Sequence, residues 1–157
     1  MQKNKKIGFM VDDTSNSQLS FNLIKNANEF LENNSDDIVV FFENSTSSVL
    51  NPNFSIMSIN EIWNFNGSLI ATNVSTSISM RKCFAPQKKF FYVWDLEWTR
   101  PHGKDFEYIV QAYTDPETTL IARSKEHAAA IENYCNRKVK HVVEDFNMEE
   151  LARITNE

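Results

Sequence analysis

The chain reads as an α/β protein: a three-layer αβα, Rossmann-like sandwich built on a mostly parallel sheet of six to seven strands. Short apolar runs without alternation, IVVFF at 38–42 and FFYVW at 90–94, read as strands buried on both faces, and such strands belong to parallel sheets covered by helices. Segments with apolar residues at helical spacing separate those runs, so strand and helix alternate. The length, 157 residues, fits one domain spanning 1–157. The stretch KFFYVWDLEW at 89–98 stands at the centre of this arrangement. Its strand ends on Asp95 and Glu97, at the edge where open α/β sheets place their ligands.

The first strand is KIGFMV, Lys6–Val11, stopped by the turn-forming and cap-forming run DDTSNS at 12–17. Leu19, Leu23, Ala27, Phe30 and Leu31 then recur at helical spacing over 18–34, giving one apolar face for packing on a sheet. The β-branched and aromatic residues at 38–42 make a second strand and complete a βαβ unit. Residues 44–53 are polar, contain Pro52 and form a loop, after which 54–59 alternates apolar residues with Ser as a strand near the sheet edge does. A single helical turn is expected at 61–65. Gly67 breaks the chain before a fourth strand, SLIAT at 68–72, and a short helix lies within 73–84, closed by Pro86.

After the central strand, a loop at 98–104 contains Pro101 and Gly103. Phe106, Ile109, Val110 and Tyr113 stand at i, i+3, i+4 and i+7, an amphipathic helix ended by Asp115-Pro116. Residues 118–122 form a sixth strand. Ser124 is placed to cap a helix carrying Ala128, Ala129, Ile131 and Tyr134. A seventh strand at 139–143 and a last helix at 148–154 complete the chain. Right-handed crossovers order the strands 3-2-1-4-5-6-7. The order reverses between the first and fourth strands, so a crevice is expected beside Asp12, Asp13, Thr14 and Ser15 on one side and Asn73, Ser75 and Thr76 on the other.

A net charge of −5 and a pI near 5.3 speak against nucleic acid or anionic membrane as partner, since neutralising phosphates takes clustered Lys and Arg. No apolar run approaches the roughly 20 residues that span a bilayer, and the start of the chain leads into a strand, so a cytoplasmic location is expected. Cys83 and Cys135 lack metal-type spacing and read as reduced, partly buried thiols. His102, His127 and His141 fall on a loop, a helix start and a strand with no shared spacing, so no metal is expected, and no cofactor.

Asp12 and Asp13 can hold a cation or act as a base, or they can cap the next helix, where carboxylates meet the positive end of the helix dipole. Asp95 and Glu97 are candidates for an acid–base pair. At i and i+2 of an extended strand they point the same way, and the structural alternative pairs one of them with Arg100 or Lys104. Among the aromatics, Trp98 is the one placed for exposure and for stacking on a sugar ring, whereas Tyr92 and Trp94 read as core. Ser124 has no nucleophile elbow around it and reads as a cap. Arg100, His102 and Lys104 form either a phosphate-touching lid or an ordinary solvated loop.

The runs LIATNVST at 69–76, FYVWDLEW at 91–98, LIARSKEH at 120–127 and VVEDF at 142–146 together resemble the N-terminal, acceptor-side half of a GT-B-type glycosyltransferase. The resemblance covers roughly 69–146 and its motifs are loose. It implies a domain that binds a sugar acceptor or nucleotide sugar, with the main nucleotide-sugar site supplied by a second domain or another chain, and therefore no catalysis by this domain alone; a partner chain or a homodimer is the assembly expected. One departure is visible: the loop after the first strand is often Gly-rich in such enzymes, and here 12–17 contains no Gly. The alternative is a small self-sufficient enzyme that binds a nucleotide or sugar in the crevice. A third is an interaction protein whose crevice is filled by side chains.

Overall fold

The computed structural model describes residues 5–99 and 105–157. Seven strands form one sheet: β1 (Lys6–Val11), β2 (Asp37–Phe42), β3 (Ser55–Ser58), β4 (Ser68–Ala71), β5 (Lys88–Val93), β6 (Thr118–Ala122) and β7 (His141–Val142). They lie in the order β3-β2-β1-β4-β5-β6-β7, and every neighbouring pair is parallel. Five helices cover it: α1 (Gln18–Asn33), α2 (Val74–Arg81), α3 (Phe106–Thr114), α4 (Lys125–Cys135) and α5 (Met148–Asn156). The expected order of strands and the reversal between β1 and β4 are both present.

The period-two alternation of the strands divides the core into two layers. Phe9, Val40, Ile70, Phe90 and Tyr92 face the α1 and α5 side, where Leu23, Ala27, Phe30 and Leu151 meet them. Met10, Phe41, Leu69, Phe91 and Val93 face the α2, α3 and α4 side, against Met80, Ile109, Tyr113 and Ile131. Burying a side chain of this size stabilises the fold by roughly 1.5–3 kcal/mol relative to leaving it in water. β5 does this on both faces at once from Phe90 to Val93, and no charged residue stands among those four. At the start of β4 the chain must pass close to β1: a Cβ on Gly67 would lie 2.5 Å from the Lys6 carbonyl oxygen, and only glycine fits there.

The element ends differ from expectation where side chains compete for the backbone. The seventh strand shrinks from 139–143 to His141–Val142, and the Val139 N–H donates to the Glu132 carboxylate at 3.0 Å. The turn expected at 61–65 is a longer 3-10 helix, Ile59–Asn64. α1 is capped by Ser17, whose hydroxyl oxygen accepts the Ser20 N–H at 3.1 Å, and not by Asp12 or Asp13. Cys83 is buried and Cys135 half-buried, both as free thiols. Among the described residues no helix is long and apolar enough to cross a membrane.

Candidate functional site

A crevice of about 480 Å³ opens over the carboxyl ends of β1, β4 and β5, where the strand order reverses. The loops after these three strands and the first turns of α1 and α2, Gln18, Leu19 and Ser20 among them, build its walls. From the first come Asp12, Asp13 and Ser15, from the second Thr72, Asn73 and Ser75, and from the third Trp94, Asp95 and Glu97. Most of the residues singled out in the sequence therefore converge here. Its described lining carries four carboxylates, with hydroxyls and amides between them, and no Lys, Arg or His.

Local hydrogen bonds fix each wall. The Asp13 carboxylate accepts the Ser15 N–H at 2.9 Å and the Ser15 hydroxyl at 2.5 Å, folding the first loop tightly. The Thr72 hydroxyl donates to the Met10 carbonyl at 2.6 Å and ties the end of β4 to β1. Asn73 caps α2: its side-chain oxygen accepts the Thr76 N–H at 2.8 Å, while the Thr76 hydroxyl oxygen accepts the Asn73 N–H at 3.2 Å, a reciprocal capping box. The Val74 N–H at the head of the same helix donates to Glu97 Oε1 at 2.8 Å. Glu97 thus places its charge at the positive end of α2.

Several expectations are corrected. Asp95 and Glu97 do not sit at i and i+2 of an extended strand, because β5 ends at Val93 and Glu97 begins a 3-10 turn, Glu97–Thr99. They reach the same crevice through that turn. Trp98 is not a free platform for a sugar ring. It stacks on Tyr134 at 4.3 Å with the rings 5° from parallel and meets Tyr113 edge-on at 5.0 Å, which docks the turn onto α3 and α4. Thr14 is buried, shares a 2.9 Å hydrogen bond with Ser48 and lies outside the lining. Thr76 is buried in the capping box, and Ser124 caps α4 by accepting the His127 N–H at 3.1 Å, away from the crevice. Arg100, His102 and Lys104, with the lid expected at 98–104, lie outside the described residues from 100 onward. Among the described residues, no cluster of three His, Cys, Asp or Glu side chains is arranged to hold a metal.

Glu43 is a participant that sequence reasoning passed over. It follows β2 directly, as Asp12 follows β1, and its carboxylate accepts the Ser75 hydroxyl at 2.9 Å beside the crevice. Burial raises its pKa, the Ser75 hydrogen bond opposes that rise and the Asp12 charge adds to it. An acidic residue directly after a buried strand was the available signal. Tyr113, packed beneath the third wall, has its phenol pushed up by burial first and by the Glu97 charge second.

Comparison with protein-family models, with curated proteins and with solved structures finds no match for this chain.

Proposed function

We propose that this chain is a binding domain that holds a hydroxyl-rich small molecule, a sugar acceptor, in the crevice at the β1/β4 reversal, and that it does not transfer a glycosyl group by itself. The observation that carries the reading is the lining: convergent carboxylates, amides and hydroxyls on rigid strand ends, which suit the hydroxyls of a sugar. The resemblance of 69–146 to the acceptor-side half of a GT-B-type glycosyltransferase points the same way. The nucleotide-sugar side of such a reaction then falls to a second domain or chain. Asp95 and Glu97 act in this reading as acceptors that orient the sugar.

Calorimetry of the chain against a set of uncharged mono- and disaccharides and against UDP-glucose tests the proposal. Saturable heat with a saccharide and none with UDP-glucose is the expected result. Asp95→Asn should weaken that binding about tenfold or more, the scale of a hydrogen bond to a charged group. Saturable heat with UDP-glucose alone overturns the proposal in favour of a self-sufficient nucleotide-sugar enzyme. The observation favouring that second reading is Glu43 beside the crevice, which accepts the Ser75 hydroxyl at 2.9 Å and whose pKa is raised by burial, the direction a general acid needs.

A further inference from the structure

We propose that the amino edge of the sheet carries a docking face for an anionic lipid surface, built from two exposed aromatics, Trp63 and Phe84, among the cations Arg81, Lys82, Lys88 and Lys89. The proposal is independent of the sugar-binding reading, because the crevice opens at the opposite ends of the strands.

Two contacts assemble the face. Phe84 stands in the turn between α2 and β5 and is 88% exposed, while Trp63 stands in the 3-10 helix Ile59–Asn64 and is 55% exposed. The Cys83 thiol donates to the Ile62 carbonyl at 3.4 Å, which brings the residues that follow each, Phe84 and Trp63, to neighbouring positions. Lys89 Nζ lies 6.0 Å from the Phe84 ring centre and donates to the Arg81 carbonyl at 3.4 Å, so cations from both sides of the turn gather beside the aromatic ring. Large apolar side chains left together in water forgo the stabilisation of burial and mark a surface that meets something else.

The charge of this face is not cancelled within the chain. Arg81 Nη1 donates to the Gln111 side-chain oxygen at 3.2 Å, Lys88 Nζ to the Thr155 carbonyl at 3.4 Å and Lys89 Nζ to the Arg81 carbonyl, all neutral acceptors. None of the four cations forms an ion pair with a described carboxylate. Glu61, on the same 3-10 helix as Trp63, sets one negative charge against them. Asp12, Asp13, Glu43 and Asp145 follow the carboxyl ends of their strands, and a six-residue strand such as β1 holds the two edges about 20 Å apart. That is more than two screening lengths of about 8 Å at physiological salt. The net charge of −5 therefore does not describe the field at the amino edge.

The same observations select the occupant. A second copy placed face to face would bring two sets of these cations together and be repelled. An 88% exposed ring is a projection and not a groove, so an extended acidic peptide finds no walls around Phe84. A bilayer accepts such a projection: Trp and Phe enter its interfacial layer, while Lys and Arg lay their stems along it and leave their charges among the lipid phosphates.

The test is a titration of the intact chain with vesicles of phosphatidylcholine and phosphatidylserine in equal parts, and with vesicles of phosphatidylcholine alone, read by co-sedimentation and tryptophan fluorescence. The mixed vesicles should bind at lipid concentrations at least about tenfold lower than phosphatidylcholine alone, and added salt should weaken that binding. Trp63 is the most exposed of the three tryptophans, so emission should move to shorter wavelength on binding. The double variant Lys88→Gln, Lys89→Gln should weaken binding about tenfold or more. Phe84→Ser should weaken it by a similar factor, with its urea midpoint unchanged because the ring is not part of the core. Equal binding to both vesicles, binding to neither, or full binding by both variants overturns the proposal. Retention on polyglutamate without binding to either vesicle overturns it in favour of an acidic protein partner.

Discussion

The carboxyl edge of the sheet is two different surfaces. Over β1, β4 and β5 it is open and polar, walled by short loops of Asp, Ser, Asn and Glu. Over β6 and β7 it is sealed. Phe146 is 0% exposed and packs against Phe9 at 6.0 Å, Tyr92 at 4.8 Å and Trp94 at 5.0 Å. The Arg123 guanidinium lies 3.6 Å from the Trp94 ring centre and donates to the Trp94 carbonyl at 3.2 Å. The Tyr92 hydroxyl donates to the Val143 carbonyl and accepts the Phe146 N–H at 3.4 Å. To bring Phe146 into this position the backbone takes positive φ at two successive non-glycine residues, 42° at Asp145 and 56° at Phe146. Left-handed backbone costs roughly 1–2 kcal/mol per residue, which the aromatic packing offsets. The contrast teaches that the density of aromatics in the sequence marks the scaffold, while the plain polar residues after β1 and β4 mark the crevice. Trp94 stands on the boundary, 5% exposed and contributing to both.

The comparison is broken most severely by Phe146→Ala. It removes the residue that closes the sealed half and leaves two strained residues without their compensation, so a loss of about 3–5 kcal/mol is expected in urea unfolding. Tyr92→Phe should cost about 1–3 kcal/mol, since the buried Val143 carbonyl loses its phenol donor. It also carries a pH signature. Burial first, against the opposing Phe146 backbone hydrogen bond and Arg123 charge, pushes the Tyr92 phenol from 10.0 up to about 12. The folded state therefore keeps a proton that the unfolded chain releases, and stability falls as pH rises through that window. Tyr92→Phe should flatten part of that alkaline decline in a series of thermal melts.

The open half should prove more tolerant. Asn73→Ala removes the α2 cap and should cost about 1 kcal/mol, read as a shift of the urea midpoint with little change in slope. Smallest is Glu43→Gln. A carboxyl whose pKa is raised in the folded state contributes stability at acid pH that is lost as pH climbs through its raised value. The Gln variant lacks that loss, so its melting temperature should rise relative to the unaltered chain between acid and neutral pH. An opposite slope would show that Glu43 is stabilised as the carboxylate.

The sheet was legible because each strand declares itself locally. Buried runs such as 38–42 and 90–94 need no knowledge of their neighbours, and the handedness of the crossovers then orders them. The crevice was legible for the same reason: Asp12, Asn73 and Asp95 each follow a strand, so a parallel sheet delivers all three to one edge. Glu43 obeys the same rule, but it stands as a single acid after β2, with no second carboxylate beside it to mark it. What could not be read depends on contacts between distant parts of the chain. Nothing near Trp98 announces Tyr134 as its stacking partner. Nothing in Glu144-Asp145-Phe146 marks a left-handed turn, since no glycine stands there. The bend of Asp95–Glu97 out of the extended conformation follows from that same docking of Trp98, which local sequence does not encode.

The most direct test of the division between an open and a sealed edge is positional: an amide shift map of the chain with whichever saccharide gives the strongest calorimetric signal. Shifts confined to the loops after β1, β4 and β5, with 141–147 unmoved, are the predicted result. Shifts centred on 141–147 would contradict it.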